Sequence, residues 1–370
     1  MGTLEAGTAI VFGKFIEGFK MPWSRDEYYD VVVVPGFSDG HAHPQVVDAG
    51  LADGRKWADS YDWIENRRLR VDEAAIRADV ELSSRLAGLV YKRALLEGTT
   101  LVAVTGKLEA NYLAWKRSPD RPRVAFLPTV MKKKGWATPG DIARLARDLA
   151  PSLSDNLTRL GVFVHSLRYA GEMLPDALNL AKSLGGVLGL HLSEGRREMH
   201  MLARHLRGRR PWVRVVAVHC MEDEDPSRLG VSCVGCPGTN MILYGRTRKT
   251  LKGVTSFGSD WPLLLGTVPM HLGLIKSLYP GRVESIMERA TIGGYRDYGL
   301  SHQGDLAAYD GKPSSLLEGR LKPRMVSVAG KITVYEGRLA STGETHQDVL
   351  KKIDEAIREA IEMYPIPQLA

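Results

Sequence analysis

The stretch that decides the fold is VVVVPGFSDGHAH, residues 31–43. Four valines make a short apolar run that reads as a fully buried strand. Pro35 and Gly36 break or bend it. His41 and His43 then follow two residues apart. On a strand, side chains at i and i+2 leave the same face, so the two imidazoles would emerge side by side from one strand end. Neutral imidazole suits zinc and similar ions. A valine-rich strand ending in two histidines fits a parallel sheet buried on both faces, with its site at the C-terminal end. A surface pair, or a hydrogen-bonded core feature, would account for two histidines by themselves, so a metal site requires further ligands at other strand ends.

The chain has 370 residues. An α/β barrel alone takes roughly 250, so a barrel plus a smaller unit fits the length. A hydrophobic fraction of 44% with 25% charged residues is that of a globular domain able to bury a large core. The net charge is +7. Its excess arginine sits in helical stretches such as EGRREMHMLARHLRGRRP, which reads as a solvated helix face, and no DNA- or RNA-binding motif accompanies it. The three cysteines, Cys220, Cys233 and Cys236, do not make a disulfide framework. Cys233 and Cys236 form a CxxC without a second pair to complete a four-cysteine zinc site, and read as small buried residues. No apolar run approaches the roughly 20 residues of a membrane span, and no signal peptide is recognisable. A reducing cytoplasm is the expected setting.

Beyond the valines, residues 36–302 alternate apolar strand-like runs with helical stretches. Strands are expected at 98–104, 123–130, 161–167, 186–192, 213–220, 230–236 and 253–259, and helices at 71–97, 139–150, 175–184, 195–207 and 267–291. With the strand carrying the histidine pair this makes eight, the pattern of a (β/α)8 TIM barrel. A doubly wound open sheet is the alternative, but neither a P-loop nor a GxGxxG is present to support it. Short strands with turn glycines at 6–34 and at 303–343 (GDLAAYD, RMVSVAGKITVYEGRL) are each too little to fold alone. They are read as one small β-sandwich domain built from residues 1–35 and 303–343, with the barrel at 36–302 and a helix and tail at 344–370.

In a barrel the catalytic groups lie at the C-terminal ends of strands. Those ends carry His41 and His43 (strand one), His191 in GLHLSE (strand five), His219 in VVAVHC (strand six) and Asp260 in SFGSDWP (strand eight). Burial alone does not place titratable groups so regularly. Glu194, three residues after His191, is either a proton carrier near the same mouth or a charge on a helix N-terminus. His165 in VFVHSLRY contacts substrate or caps strand four. A carboxylated lysine bridging two metals finds no lysine in that strand, so one metal is expected. Trp57, Tyr61 and Trp63 either stack on a flat ring or pack against the barrel.

This constellation resembles the amidohydrolase superfamily. PGFSDGHAH is similar to its strand-one signature, GTTLVAV to its strand-two segment, and GSDWP to its strand-eight aspartate. HLSE resembles the strand-five His-x-x-Glu of the deaminase and chlorohydrolase branch, which includes guanine, cytosine and S-adenosylhomocysteine deaminases. CPGTN resembles that branch's Cys-Pro-x-Ser-Asn, with Thr239 in place of serine. ERATIGGYRDYGL is similar to the helix after the barrel. The resemblance implies that His41, His43, His191 and Asp260 hold one divalent ion, zinc ahead of iron. It implies further that His219 orients water or substrate, that Glu194 shuttles protons, and that Asp260 takes the proton of the attacking water. The chemistry implied is deamination of an amino-substituted purine, pyrimidine or triazine. HSLRY lacks the proline of the branch's strand-four His-x-Pro-Tyr, so no named enzyme's substrate carries over. Cleavage of a cyclic amide, or displacement of another leaving group such as chloride, is the same-scaffold alternative. A non-catalytic small-molecule-binding scaffold is the different-class alternative, against which all four ligands and the glutamate are retained. Expected partners are a small-molecule substrate and further copies of the chain, not nucleic acid or membrane. Trp63 and His165 are the expected substrate contacts.

Overall fold

The valine run is a strand, but it is not the strand that carries the histidines. Val31–Pro35 pairs antiparallel with Leu306–Asp310 in a five-stranded sheet, and a separate strand, Phe37–Ala42, starts after Gly36. The break is steric. A Cβ on Gly36 would collide with the Thr100 side chain, so only glycine lets the chain turn here between two sheets. The structure, a computed structural model, describes residues 8–11, 14–17 and 31–367, apart from 53, 134, 150–152, 154, 155, 207–210 and 223. The remaining parts of the expected N-terminal strands lie outside the described residues.

Eight parallel strands follow one another around the barrel: Phe37–Ala42, Thr99–Gly106, Arg123–Val130, Val162–Val164, Val187–Leu192, Arg214–His219, Ser232–Gly235 and Ser256–Phe257. Thr158–Leu160 lengthens the fourth position and pairs with the third strand. The last strand has only two residues and does not ladder onto the first. The ring is closed instead just beyond it. The His43 amide donates to the Asp260 carbonyl at 2.7 Å, and the Asp260 amide donates to the His41 carbonyl at 2.9 Å. The barrel interior is filled by buried apolar side chains, Ala103, Ala125, Leu127, Phe163, Val216 and Val218 among them, while Val102, Val104, Val124 and Phe126 face the surrounding helices.

The helices are shorter than the apolar periodicity predicts. The expected helix 71–97 is two, Glu73–Ala78 and Val80–Glu97. Asp79 ends the first in an extended conformation and its carboxylate caps the second at the Leu82 amide. Gly98, at φ 90°, ends the second, and a Cβ there would meet the Tyr309 hydroxyl of the antiparallel sheet. The expected helix 267–291 is also divided, into Val268–Leu278 and Val283–Glu288. Pro280 disfavours helical backbone at Tyr279 before it.

The two ends of the chain meet in the five-stranded antiparallel sheet, in the order Arg338–Leu339, Lys331–Tyr335, Met325–Val328, Leu306–Asp310, Val31–Pro35. Thr8–Val11 and Lys14–Glu17 pair with each other rather than joining it. A fully buried ion pair joins this sheet to the barrel. Arg123, at the start of the third barrel strand, donates to both carboxylate oxygens of Asp305 at 2.8–3.1 Å, and the Tyr295 hydroxyl and Ala329 amide donate to the same group. The C-terminal helix, His346–Met363, buries Val349, Ile353, Ala356 and Ala360, one stripe at helical spacing, and packs on Val80–Glu97. No helix among the described residues is long and apolar enough to cross a membrane.

Candidate metal centre

Four strand ends deliver their polar side chains to one point. The Nε2 atoms of His41, His43 and His191 lie 3.0, 3.1 and 3.3 Å from one another. Asp260 Oδ1 is 3.5 Å from His41 Nε2 and 3.4 Å from His43 Nε2. His219 joins His41 and His191 in a cluster whose ligand atoms lie within 4.8 Å of one another. Of the residues singled out in the sequence, these five and Glu194 come together, and His165 and Trp63 line the same cavity. Trp57 does not. It is buried among Leu243 and Tyr244 and packs as structure. The three cysteines are buried and free, and among the described residues no metal-type cluster includes them.

The hydrogen bonds on the far side of the His191 and His43 rings state what the near side must hold. His191 Nδ1 lies 2.8 Å from the His165 carbonyl, which can only accept, so Nδ1 carries the proton and Nε2 a lone pair. Thr105 Oγ1 donates to the Ala42 carbonyl at 3.2 Å and therefore accepts from His43 Nδ1 at 2.9 Å, which leaves a lone pair on His43 Nε2 as well. Burial pushes the pKa of all three histidines down, that of His43 to about 3, so the rings are neutral. Burial pushes the Asp260 carboxyl up, but the surrounding His41, His219 and His43 rings outweigh it and hold it below the ordinary range. Converging lone pairs beside a buried carboxylate repel unless a cation lies between them. The residues therefore fit a divalent metal with nitrogen and oxygen ligands.

The backbone gives way to this geometry. Ser193, His219, Cys220 and Asp260 sit at φ 54°, 72°, 43° and 67°, a region that side-chain-bearing residues seldom occupy. Such positions cost of order 1–3 kcal/mol each and persist where the surroundings over-determine them. Here they fall at or just after the ends of strands five, six and eight.

Glu194 is buried beside the cluster. Its Oε1 accepts from the Tyr244 hydroxyl at 2.6 Å and lies 3.5 Å from His219 Nε2. Burial pushes its pKa up, against the pull of His219, so this carboxyl holds a proton more readily than a free glutamate does. His219 Nδ1 pairs with Asn240 Oδ1 at 2.9 Å, and Asn240 Nδ2 donates to Thr247. The asparagine of the CPGTN segment thus orients His219.

Sequence reasoning missed Thr105, Tyr244, Asp39 and Glu198, and it quoted Asn240 within CPGTN without giving it a role. Glu198 accepts from the Ser193 amide at 3.0 Å and from the Tyr61 hydroxyl at 2.5 Å, tying the strand-five loop to the cavity wall. Asp39 is fully buried, accepts from the Ser259 amide at 2.8 Å, and leaves Oδ2 without a partner. Burial pushes its pKa up to about 7. Asp39 lies inside the SDGHAH stretch, two residues before His41, which was the one available signal.

No protein-family model and no curated protein matches the sequence. Solved structures do match the fold. A triazine hydrolase variant superposes with a TM-score of 0.72 at 13% identity, over 96% of this chain and 98% of its own. An amidohydrolase from Brucella melitensis gives 0.70 at 18%, over 97% and 99%. An atrazine chlorohydrolase mutant from Arthrobacter aurescens TC1, complexed with zinc and atraton, gives 0.69 at 14%, over 96% and 99%. Nearly the whole chain thus shares the (β/α)8 fold of these hydrolases, together with its accompanying antiparallel sheet.

Proposed function

We propose that this chain is a mononuclear metal-dependent hydrolase of the amidohydrolase superfamily, in its deaminase and chlorohydrolase branch, and that it deaminates an amino-substituted heterocycle. The observation that carries the reading is the convergence of three imidazole nitrogens and the Asp260 carboxylate at the mouth of the barrel, with Glu194 buried beside them and its pKa pushed up by burial. The fold likeness to hydrolases, one of them a zinc complex, supports it. His41, His43, His191 and Asp260 would hold the ion, zinc ahead of iron. A divalent ion bound there would lower the pKa of water and polarise the group under attack.

The rest of the chemistry belongs to the side chains. Tyr244 fixes Glu194 Oε1, so Oε2 is the atom that gives a proton to a ring nitrogen and then to the leaving group. Asp260, ionised, accepts the proton of the attacking water. His219, its Nδ1 held by Asn240, offers Nε2 toward the same point. Tyr61 and Trp63 line the cavity as flat walls suited to a planar ring, with Trp63 packed at 5.6 Å against Trp261. The partner is a small molecule, in a cytoplasmic setting, and self-association is the expected assembly.

Displacement of chloride from the same kind of ring is the second reading, favoured by the triazine hydrolase and chlorohydrolase likenesses. Metal analysis of protein purified without chelators, then ammonia and chloride release from aminopurines, aminopyrimidines and amino- and chlorotriazines, tests both. About one zinc or iron per chain is expected, with ammonia release, while chloride release alone selects the second reading. No metal after reconstitution overturns both and leaves a binding scaffold.

A further inference from the structure

The cavity also has a cationic wall that the chemistry above does not use. Arg67, Arg77 and Lys133 line the same cavity as His43, His191 and Glu194. Arg67 already has a counter-ion, Glu73, at 2.6 Å, and stacks on Trp63. Arg77 has no carboxylate at ion-pair distance among the described residues. Its guanidinium lies over the Trp136 ring, 4.2 Å from the centroid, and its Nε is buried without a hydrogen-bond partner. Burial pushes its pKa down. The charges of Arg67, Arg77 and Lys133 all bear on His165, itself neutral and with a buried, unpartnered Nδ1.

The charges of Glu73 and Asp72 reach Arg77 without contacting it, and a partly buried guanidinium with no carboxylate in contact is costly unless something supplies one. Its planar fork matches carboxylate and phosphate oxygens in pairs, and stacking on an indole holds the fork in one plane. Of the carboxylates lining the cavity, Glu73 is taken by Arg67, and Glu194 and Asp260 lie at the histidine cluster.

We propose that this wall is an anion-binding arm of the substrate site: the substrate is a flat heterocycle bearing a carboxylate or phosphate group, which Arg77 grips and Lys133 attracts while the reacting carbon lies at the histidines. The reacting end rests on the hydrolase reading; the anion-binding end does not. Arg77 and Lys133 are then specificity residues rather than members of the proton-transfer machinery. The competing account is that Arg77 only covers the face of Trp136.

Titration calorimetry with benzoate, phenyl phosphate and the neutral benzamide, on the metal-loaded protein and on Arg77→Met, Arg77→Lys and Lys133→Met, separates the two. Wild type is expected to prefer the anions to benzamide. Arg77→Met should lose that preference by roughly 10- to 100-fold, the range of a charged hydrogen-bonded contact, and leave benzamide binding unchanged. Arg77→Lys should lose part of it. The relative affinity of benzoate and phenyl phosphate tells which anion the arm is shaped for. Equal binding of benzoate and benzamide by wild type overturns the proposal. So does a preference that survives in all three variants, the result expected if the anion simply sits on the metal. If Arg77→Met does not melt like wild type, the other two variants decide. Arg77-dependent benzoate binding without any ammonia or chloride release would uphold the arm and sink the hydrolase reading. Charge-independent binding with turnover would do the reverse.

Discussion

Thr105 and Asn240 touch no substrate, yet each decides what a histidine can do. Thr105 fixes the His43 ring through Nδ1, and Thr105→Val keeps the shape while removing that contact. Loss of such a supporting partner costs about 10- to 100-fold in metal affinity, which competition with a chromophoric chelator would measure. His191→Ala should abolish binding of the ion altogether. Glu194→Gln should keep the ion and lower turnover by about 10²- to 10⁴-fold, the usual weight of a general acid–base group. An equal loss of ion in both variants would contradict the assigned roles. The histidines, Asp260 and Glu194 are legible in the sequence because each follows an apolar run. Thr105, Tyr244 and Glu198 are not, because a hydroxyl or carboxylate at a strand end or in a helix acquires its role only when another strand brings its partner near. Tyr244 reaches Glu194 across 50 positions of sequence.

Among elements, the eighth strand is the frailest, with two residues, and the last helix before the chain returns to the antiparallel sheet supports it. Asp297, in Gly294–Tyr298, accepts from Ser256 Oγ at 2.6 Å and Thr255 Oγ1 at 2.8 Å. Burial pushes its pKa up to about 6. The folded state therefore holds this proton more tightly than the unfolded chain does. Its contribution to stability is full below about pH 4 and is lost as pH rises through about 6, by up to about 3 kcal/mol. Denaturant melts across that window should show the decline in wild type and a flatter profile in Asp297→Asn. The periodicity that places helices in the sequence is blind to such supports, and blind to breaks as well. Residues 71–97 keep their apolar spacing straight through Asp79, and only the carboxylate's turn back to the Leu82 amide divides the helix. The valines mislead for a related reason: a run buried on both faces looks alike in a parallel barrel and in an antiparallel sheet.

On the scale of the whole molecule, two buried charge clusters join what the chain order keeps apart. Arg123 and Asp305 join barrel and antiparallel sheet. Glu97 gathers Arg93, the Thr267 amide and hydroxyl, and His346 of the C-terminal helix within 2.7–3.0 Å. Arg93 and the other groups around Glu97 overcome the burial that would raise its pKa and hold it well below the carboxylate range. Removing one partner strands the others, so Asp305→Ala and Glu97→Ala should each cost about 3–5 kcal/mol in chemical denaturation. Of this architecture the eight-strand count and the return of the C-terminal strands to the N-terminal end are readable from pattern alone. The ion pairs are not, since their members are 182 and 249 residues apart. The barrel, finally, is a bracelet whose clasp is the candidate metal centre. Its first and last strands meet at the backbone of His41, His43 and Asp260 and at the Asp39 carboxylate, which accepts from the Ser259 amide. Chelation should therefore be felt as mechanical loosening, with amide exchange at His43 and Asp260 quickening before any other part of the ring and the melting temperature tracking free zinc. Heat should cost the molecule its chemistry first and its shape afterwards.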